Sequence, residues 1–144
     1  MALLNYRTRV DATRTAAEIQ AILAKAGAKR IMQEFDDAGE VSSLAFQLKI
    51  ADGQLASFQL PVDWRPVDAV LRKQKVNAGE ATARNVAWRI VKDWVEAQVA
   101  IIETKMVEPE QVFLPYLISS GGKTVYEHFK DDSRFLLGSG DGQR

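Results

Sequence analysis

The charged residues of this sequence point first to phosphate binding, because its basic side chains are concentrated in one segment. From Arg65 to Lys92 there are seven basic residues and two acidic ones, a local charge of +5 in a chain whose formal net charge is zero. Lysine and arginine contact phosphates without reading base sequence. The predicted phosphate contacts are Arg72, Lys73, Lys75, Arg89 and Lys92. Trp88 adds an aromatic face on which a base could stack.

Catalytic chemistry has less support in the sequence. The chain has one histidine, His128, and no nucleophile-elbow pattern accompanies it. There is no cysteine, so thiolate chemistry and disulfides are excluded. The run Gly121-Gly122-Lys123-Thr124 resembles the end of a phosphate-binding loop, but it lacks the earlier glycine and predicts a turn. We therefore expect no catalytic residues, no metal site and no cofactor.

Apolar periodicity predicts an α+β fold with a helix, a three-stranded antiparallel meander, a second helix and a helical C-terminal half. A capping box of Thr15 and Glu18 predicts the start of the first helix, and Gly27 its end. The other predicted elements are strands over 29–35, 43–50 and 55–62, a short helix from Pro66, a long helix over 80–106, a helix from Pro109 and a last short helix near residue 124. The stretch NYRTRV near the N-terminus is either a short basic edge strand or a loose arm.

The domain organisation follows from these elements. Residues 1–137 are expected to form a single domain, with an α-β-β-β-α half over 15–75, a helical half over 79–130 and a disordered tail over 138–144. No apolar run approaches the roughly 20 residues that span a bilayer, and the N-terminal stretch lacks a secretory signal. We therefore expect a cytoplasmic protein without membrane contact.

The long helix is predicted to be the centre of the fold. Its apolar side chains cover more than half of its circumference, so it should be contacted on more than one side or form a homodimer face. Its polar arc contains the four-residue pairs Arg89–Asp93 and Lys92–Glu96, which typically form salt bridges on a helix surface.

Two families share the order of these elements. The order α-β-β-β-α resembles the double-stranded-RNA-binding domain, although the cluster Arg72, Lys73 and Lys75 falls at the end of the second helix rather than at its start. It also resembles restriction-endonuclease-like nucleases, which hold Mg²⁺ with an Asp and a Glu-x-Lys on adjacent strands. Here Asp36 or Asp37 would be followed by Gln47-Leu48-Lys49, with glutamine in place of the second carboxylate.

A longer resemblance concerns the stretches RNVAWRIVKDWVEAQVAIIETKMVEPEQVFLPYL, residues 84–117, and FQLPV, residues 58–62. They resemble small uncharacterised proteins of bacteriophages and related mobile elements. That resemblance implies a small accessory protein, in the cytoplasm of a host cell, that binds host or phage machinery rather than catalysing a reaction.

The leading hypothesis is a non-enzymatic accessory protein that binds nucleic acid, or a nucleic-acid-processing complex, through the basic segment. One alternative is a protein-interaction module that inhibits or modulates a host enzyme, with an exposed apolar patch of Phe113, Tyr116 and Leu117. A second alternative is the Mg²⁺-dependent nuclease. A homodimer is compatible with each of them.

Overall fold

The computed structural model of the protein describes residues 2–76 and 79–137 and confirms the predicted α+β order. The three strands form one antiparallel sheet in the order β1-β2-β3. The elements are α1 (Ala12–Lys25), β1 (Arg30–Phe35), β2 (Val41–Lys49), β3 (Leu55–Gln59), α2 (Trp64–Lys73), α3 (Glu80–Glu103), α4 (Pro109–Phe113), a 3-10 turn (Leu114–Tyr116), α5 (Val125–Asp131) and α6 (Arg134–Leu137). The tail predicted over 138–144 lies outside the described residues. None of the described helices is both long and apolar enough to cross a membrane.

Helix α1 begins one turn earlier than the capping box predicts. Asp11 is its N-cap, and the carboxylate accepts a hydrogen bond from the Thr13 backbone N–H. Thr15 is instead completely buried inside the helix. The reason is that Ala12 and Ala16 are buried and extend the apolar stripe of the helix by a turn, while an aspartate caps a helix as well as a threonine does.

The meander presents one apolar face to the core. Along β2 the alternating residues Leu44, Phe46 and Leu48 are buried, as the period of two predicts. The turn between β2 and β3 contains Gly53, whose φ of 87° is costly for any residue with a side chain. The basic stretch NYRTRV is not a strand in the structure.

Helix α3 is covered on several sides, as its broad apolar surface predicts. Its residues Trp88, Val91 and Val95 belong to one buried cluster with side chains of α1 and of the sheet. On another side, Ala83 and Val86 pack with Leu71 of α2. The helix therefore contacts α1 and the sheet on one side and α2 on another.

The C-terminal segment closes the core through aromatic contacts. The ring of Phe113, which is fully buried, lies 5.3 Å from that of Phe46 and 5.7 Å from that of Phe58 between centroids. Leu117 forms an isolated antiparallel bridge with Phe58, and the Ile118 backbone N–H donates to the Ser57 carbonyl at 2.8 Å. This segment therefore lies beside β3, on the far side of the sheet from β1.

The predicted apolar patch of Phe113, Tyr116 and Leu117 is wrong. Phe113 is in the core, and Leu117 is half-buried at its bridge to Phe58. The Tyr116 ring is half-buried and packs edge-on against Trp94 at 5.6 Å. These side chains complete the core, since the short helices are too small to bury their apolar faces against each other.

Candidate nucleic-acid interface

Trp88 does not belong to an interface. Its side chain is 1% exposed and packs in the main core, so no face of the indole is open to a base. Its neighbours along the same face of α3, Ala87 and Val91, are buried as well. The prediction that Trp88 stacks on a base is wrong, because Trp88 lies on the apolar face of α3 and packs in the core.

Arg89 is engaged by helix α1. Its guanidinium donates to the Glu18 carboxylate at 2.8 Å and to the Thr15 hydroxyl at 3.3 Å, and the side chain is only 20% exposed. The hydrogen bond from Arg89 lowers the pKa of Glu18, which keeps that carboxyl ionised. A phosphate would have to displace this carboxylate, so Arg89 is not available for phosphate binding.

Lys92 is engaged within α3. Its ammonium lies 3.4 Å from the Glu96 carboxylate, as the four-residue spacing predicts, and the side chain is 15% exposed. The other predicted pair does not form, because Arg89 turns to Glu18 and the Asp93 carboxylate accepts a hydrogen bond from the Asn5 amide at 2.9 Å. Lys92 is therefore also not available for phosphate binding.

The cluster at the end of α2 is the part of the predicted site that remains available. The Arg72 side chain is 75% exposed and makes an ion pair with Asp68 at 3.1 Å. Lys73 and Lys75 are exposed, and neither makes an ion pair with a carboxylate among residues 2–76 and 79–137. Lys75 has a positive φ of 60° and ends the last turn of α2.

The N-terminal arm, residues 3–10, brings two further cations to this end of α2. Leu3 and Tyr6 pack against the small core between α2 and α3, and the Leu3 backbone N–H donates to the Gln74 side-chain oxygen at 3.0 Å. The arm thereby forms one wall of a groove lined by Tyr6, Arg7, Thr8, Arg9, Val76, Thr82 and Asn85. Arg7 and Arg9 make no ion pair with a described carboxylate.

We call Arg7, Arg9, Lys73 and Lys75 the basic surface. It joins two segments of the chain about seventy residues apart, which meet because the arm packs on the α2–α3 pair. The alternating arginines of NYRTRV were visible in the sequence, but nothing local indicates which helices the arm contacts. The sequence thus identified Lys73 and Lys75 and missed Arg7 and Arg9, which lie on the arm that contacts the end of α2.

The residues of the nuclease hypothesis do not converge. Asp36 follows β1 where Phe35 pairs with Val41, at the start of β2, whereas Lys49 pairs with Leu55 at its far end. At about 3.3 Å per residue, the two sites are about 26 Å apart along the strand. The Asp36 carboxylate accepts hydrogen bonds from the backbone of its own turn, at Ala38 and Glu40. Among the described residues, no cluster of carboxylates or imidazoles could hold a metal ion.

His128 has a serine partner that the sequence did not reveal. Its Nε2 atom lies 3.0 Å from the Ser119 hydroxyl, and the histidine is exposed. A nucleophilic pair of this kind also needs a third group that orients the imidazole, and no described carboxylate is hydrogen-bonded to the ring. The contact joins α5 to the loop before it, where Thr124 and Glu127 form a capping box.

No protein-family model, curated protein or solved structure matches this chain. The function must therefore be argued from the residues themselves.

Proposed function

We propose that the protein is a non-enzymatic accessory protein that binds the phosphate backbone of nucleic acid through the basic surface. The observation that supports this most strongly is the difference between two groups of cations. Arg84, Arg89 and Lys92 are ion-paired and largely withdrawn from solvent. The members of the basic surface are exposed and make no described ion pair. Only cations of the second kind can release counterions from a nucleic acid without first giving up a carboxylate.

The electrostatics of the whole chain limit how this surface works. With a formal net charge of zero, the protein has no general attraction for a polyanion, so binding must depend on the local field of the basic surface. Four phosphate contacts predict a salt slope of about −3 to −4 and an affinity in the micromolar range at low salt. We expect little base preference, because backbone contacts carry no sequence information.

The test is binding of the full-length protein to fluorescein-labelled single- and double-stranded DNA and RNA, measured by anisotropy at about 50 and 200 mM salt. Two double variants divide the surface by segment: Lys73→Gln with Lys75→Gln, and Arg7→Gln with Arg9→Gln. Each should weaken binding about 10- to 100-fold at low salt and reduce the salt slope by about two, since each neutralised side chain removes one phosphate contact.

The matched control is Lys25→Gln with Lys49→Gln. These lysines are also exposed, make no ion pair with a described carboxylate and lie on other elements. The control changes the net charge by the same amount as each of the other double variants. It should bind within about twofold of the wild type. The proposal is overturned if the wild type does not bind at about 50 mM salt, or if all three double variants lose the same affinity.

The proposal also includes the cellular location in which the protein meets nucleic acid. The resemblance to bacteriophage and mobile-element proteins suggests that the nucleic acid, or a complex that processes it, is met in the cytoplasm of a host cell. A chain without cysteine is compatible with that reducing compartment.

A further inference from the structure

Strand β1 is an open edge of the sheet. It pairs with β2 on one side, and no described residue pairs with it on the other. Proteins usually protect such an edge, because unpaired backbone groups attract another strand. Here the edge carries two large apolar side chains, Met32, which is 61% exposed, and Phe35, which is 57% exposed. Two large apolar side chains are therefore exposed at an edge whose outward backbone groups have no strand partner among the described residues.

The hydrogen bonding of the sheet shows which backbone groups face outward. The Leu60 N–H donates to the Leu44 carbonyl at 3.0 Å, so residue 44 and its alternates along β2 face β3. The intervening residues of β2 then face β1, where their partners are Arg30, Met32 and Glu34. It follows that Ile31 and Gln33 direct their N–H and C=O groups toward the open edge.

We propose that two copies of this chain associate through β1, in antiparallel pairing about a two-fold axis at Met32. In that register Ile31 of one copy exchanges backbone hydrogen bonds with the partner's Gln33, so every outward group near the axis is used. In the resulting dimer, the three-stranded sheet of one copy continues into the three-stranded sheet of the other. Identical surfaces meeting about a two-fold axis are the commonest way in which proteins form dimers.

Charge complementarity supports this register. Cross-strand pairing about Met32 places Arg30 opposite the partner's Glu34, and by symmetry this contact occurs twice. Arg30 is exposed and makes no ion pair with a described carboxylate. Glu34 accepts a hydrogen bond from the Ser43 hydroxyl at 2.7 Å, which holds its carboxylate at the surface of the sheet.

A neighbouring register fits less well. Pairing about Gln33 would place Met32 opposite the partner's Glu34, an apolar side chain against a carboxylate. It would also extend the pairing through the irregularity between Glu34 and Phe35, where the register with β2 already shifts. Registers centred between two residues would set an outward-facing residue against an inward-facing one and form no regular ladder.

Helix α1 leaves room for the second copy. The groove beside the edge is lined on the helix side by Ala17, Ala21 and Ala24, together with Gln20. All three alanines are exposed, and their small side chains leave space beside the β1 edge. These small residues do not define a site by themselves; they keep the β1 edge accessible.

Disulfide trapping tests the axis directly, because the chain has no cysteine of its own. Residues that face each other at Met32 form a non-hydrogen-bonded pair with a Cα separation of about 4.5 Å, within the range for a disulfide. Under mild oxidation at about 50 µM, Met32→Cys should form a covalent dimer at least tenfold faster than Leu55→Cys. Leu55 is a matched control, since it is 49% exposed and lies on β3.

A charge exchange tests the register without cross-linking. By sedimentation equilibrium, the wild type should have about twice the monomer mass of 16.0 kDa at about 100 µM. Arg30→Glu alone and Glu34→Arg alone should each raise the dimer dissociation constant at least tenfold. The two together should restore it to within about threefold of the wild type.

Three results would overturn the proposal. One is a monomeric wild type at about 200 µM, and another is equal cross-linking at positions 32 and 55. The third is a double variant, Arg30→Glu with Glu34→Arg, whose dimer dissociation constant is no lower than that of either single variant. That result would exclude the register about Met32. None of these measurements involves nucleic acid, so they are independent of the function proposed for the basic surface.

Discussion

At the scale of the residue, what decides the role of a charged side chain is its partner rather than its type. Arg89 and Lys73 are both basic residues of the same +5 segment. Arg89 is held by Glu18, 71 positions earlier in the chain, whereas Lys73 has no described ion pair. Composition therefore located the segment but could not separate its structural cations from its available ones.

The Arg89–Glu18 contact predicts a pH dependence of stability. The pKa of Glu18 is lowered from 4.5 in the folded protein, and the hydrogen bond from Arg89 is the largest cause. Between the folded and the unfolded pKa, the unfolded chain therefore binds more protons than the folded one. The stabilisation is fully present above the unfolded pKa and is lost as the pH falls through the folded pKa. Glu18→Gln should cost about 1 kcal/mol or less at pH 7, and its difference from the wild type should shrink toward pH 3.

Urea denaturation of the wild type and Glu18→Gln between about pH 3 and pH 7 measures this difference. Arg89→Gln should remove most of this pH dependence, since Arg89 is its main cause and Arg14 and Lys92 contribute less. A gap between wild type and Glu18→Gln that is as wide at pH 3 as at pH 7 would contradict the assignment.

At the scale of the element, a single buried arginine connects the start of α3 to two other parts of the fold. Arg84 is 6% exposed and lies 3.6 Å from the Asp36 carboxylate in the β1–β2 turn. It also forms an ion pair with Glu80 one turn earlier, and its guanidinium lies 5.8 Å from the centre of the Trp64 ring at the start of α2. Arg84 is buried beside Ala83, and Asp36 and Glu80 are the charged partners that a buried cation requires.

Replacing Arg84 should destabilise the packing of α3 against the β1–β2 turn and the start of α2. We expect Arg84→Met to lower the free energy of unfolding by about 1–3 kcal/mol, because the charged hydrogen bond to Glu80 and the ion pair with Asp36 are lost while both carboxylates can rehydrate. The control is Arg65→Met, which also removes a guanidinium from the Trp64 ring, at 5.5 Å, but whose side chain is 75% exposed. It should change stability by about 0.5 kcal/mol or less in a denaturant titration. Equal losses in the two variants would mean that the ring contact, and not the buried ion pairs, matters.

At the scale of the whole molecule, the two halves of the chain share one cluster of aromatic rings. Phe46 and Phe58 come from the sheet, Trp94 from α3 and Phe113 from α4, with each ring 5.3–5.7 Å from at least one other. Because this cluster is continuous with the main core, unfolding of either half exposes the other.

Phe113→Ala tests that coupling. Truncating a fully buried phenylalanine should cost about 3–5 kcal/mol, and tryptophan fluorescence and far-UV circular dichroism should report the same lowered transition. Tyr126→Ala, which removes an aromatic ring that is 52% exposed, should stay within about 0.5 kcal/mol of the wild type. Two separate transitions, with only one of them shifted by Phe113→Ala, would show that the halves unfold independently.

The order and type of the elements from α1 to α5 follow from local sequence patterns. The alternation along 43–50 and the broad apolar surface of the long helix depend on residues only a few positions apart, and the structure confirms both. Element ends were less well determined: the start of α1 moved by a turn because Asp11 competes with Thr15 as the cap.

Local patterns do not show which side chains are available for binding. The burial of Trp88, the capture of Arg89 by Glu18 and the placement of Arg7 and Arg9 near the end of α2 all depend on contacts between segments distant in the chain. Their physical basis is packing, which selects one arrangement of helices and sheet by the apolar area that it buries. This arrangement then determines which charged residues are close enough to form ion pairs. Local sequence patterns do not contain that information, because the partners are distant in the chain.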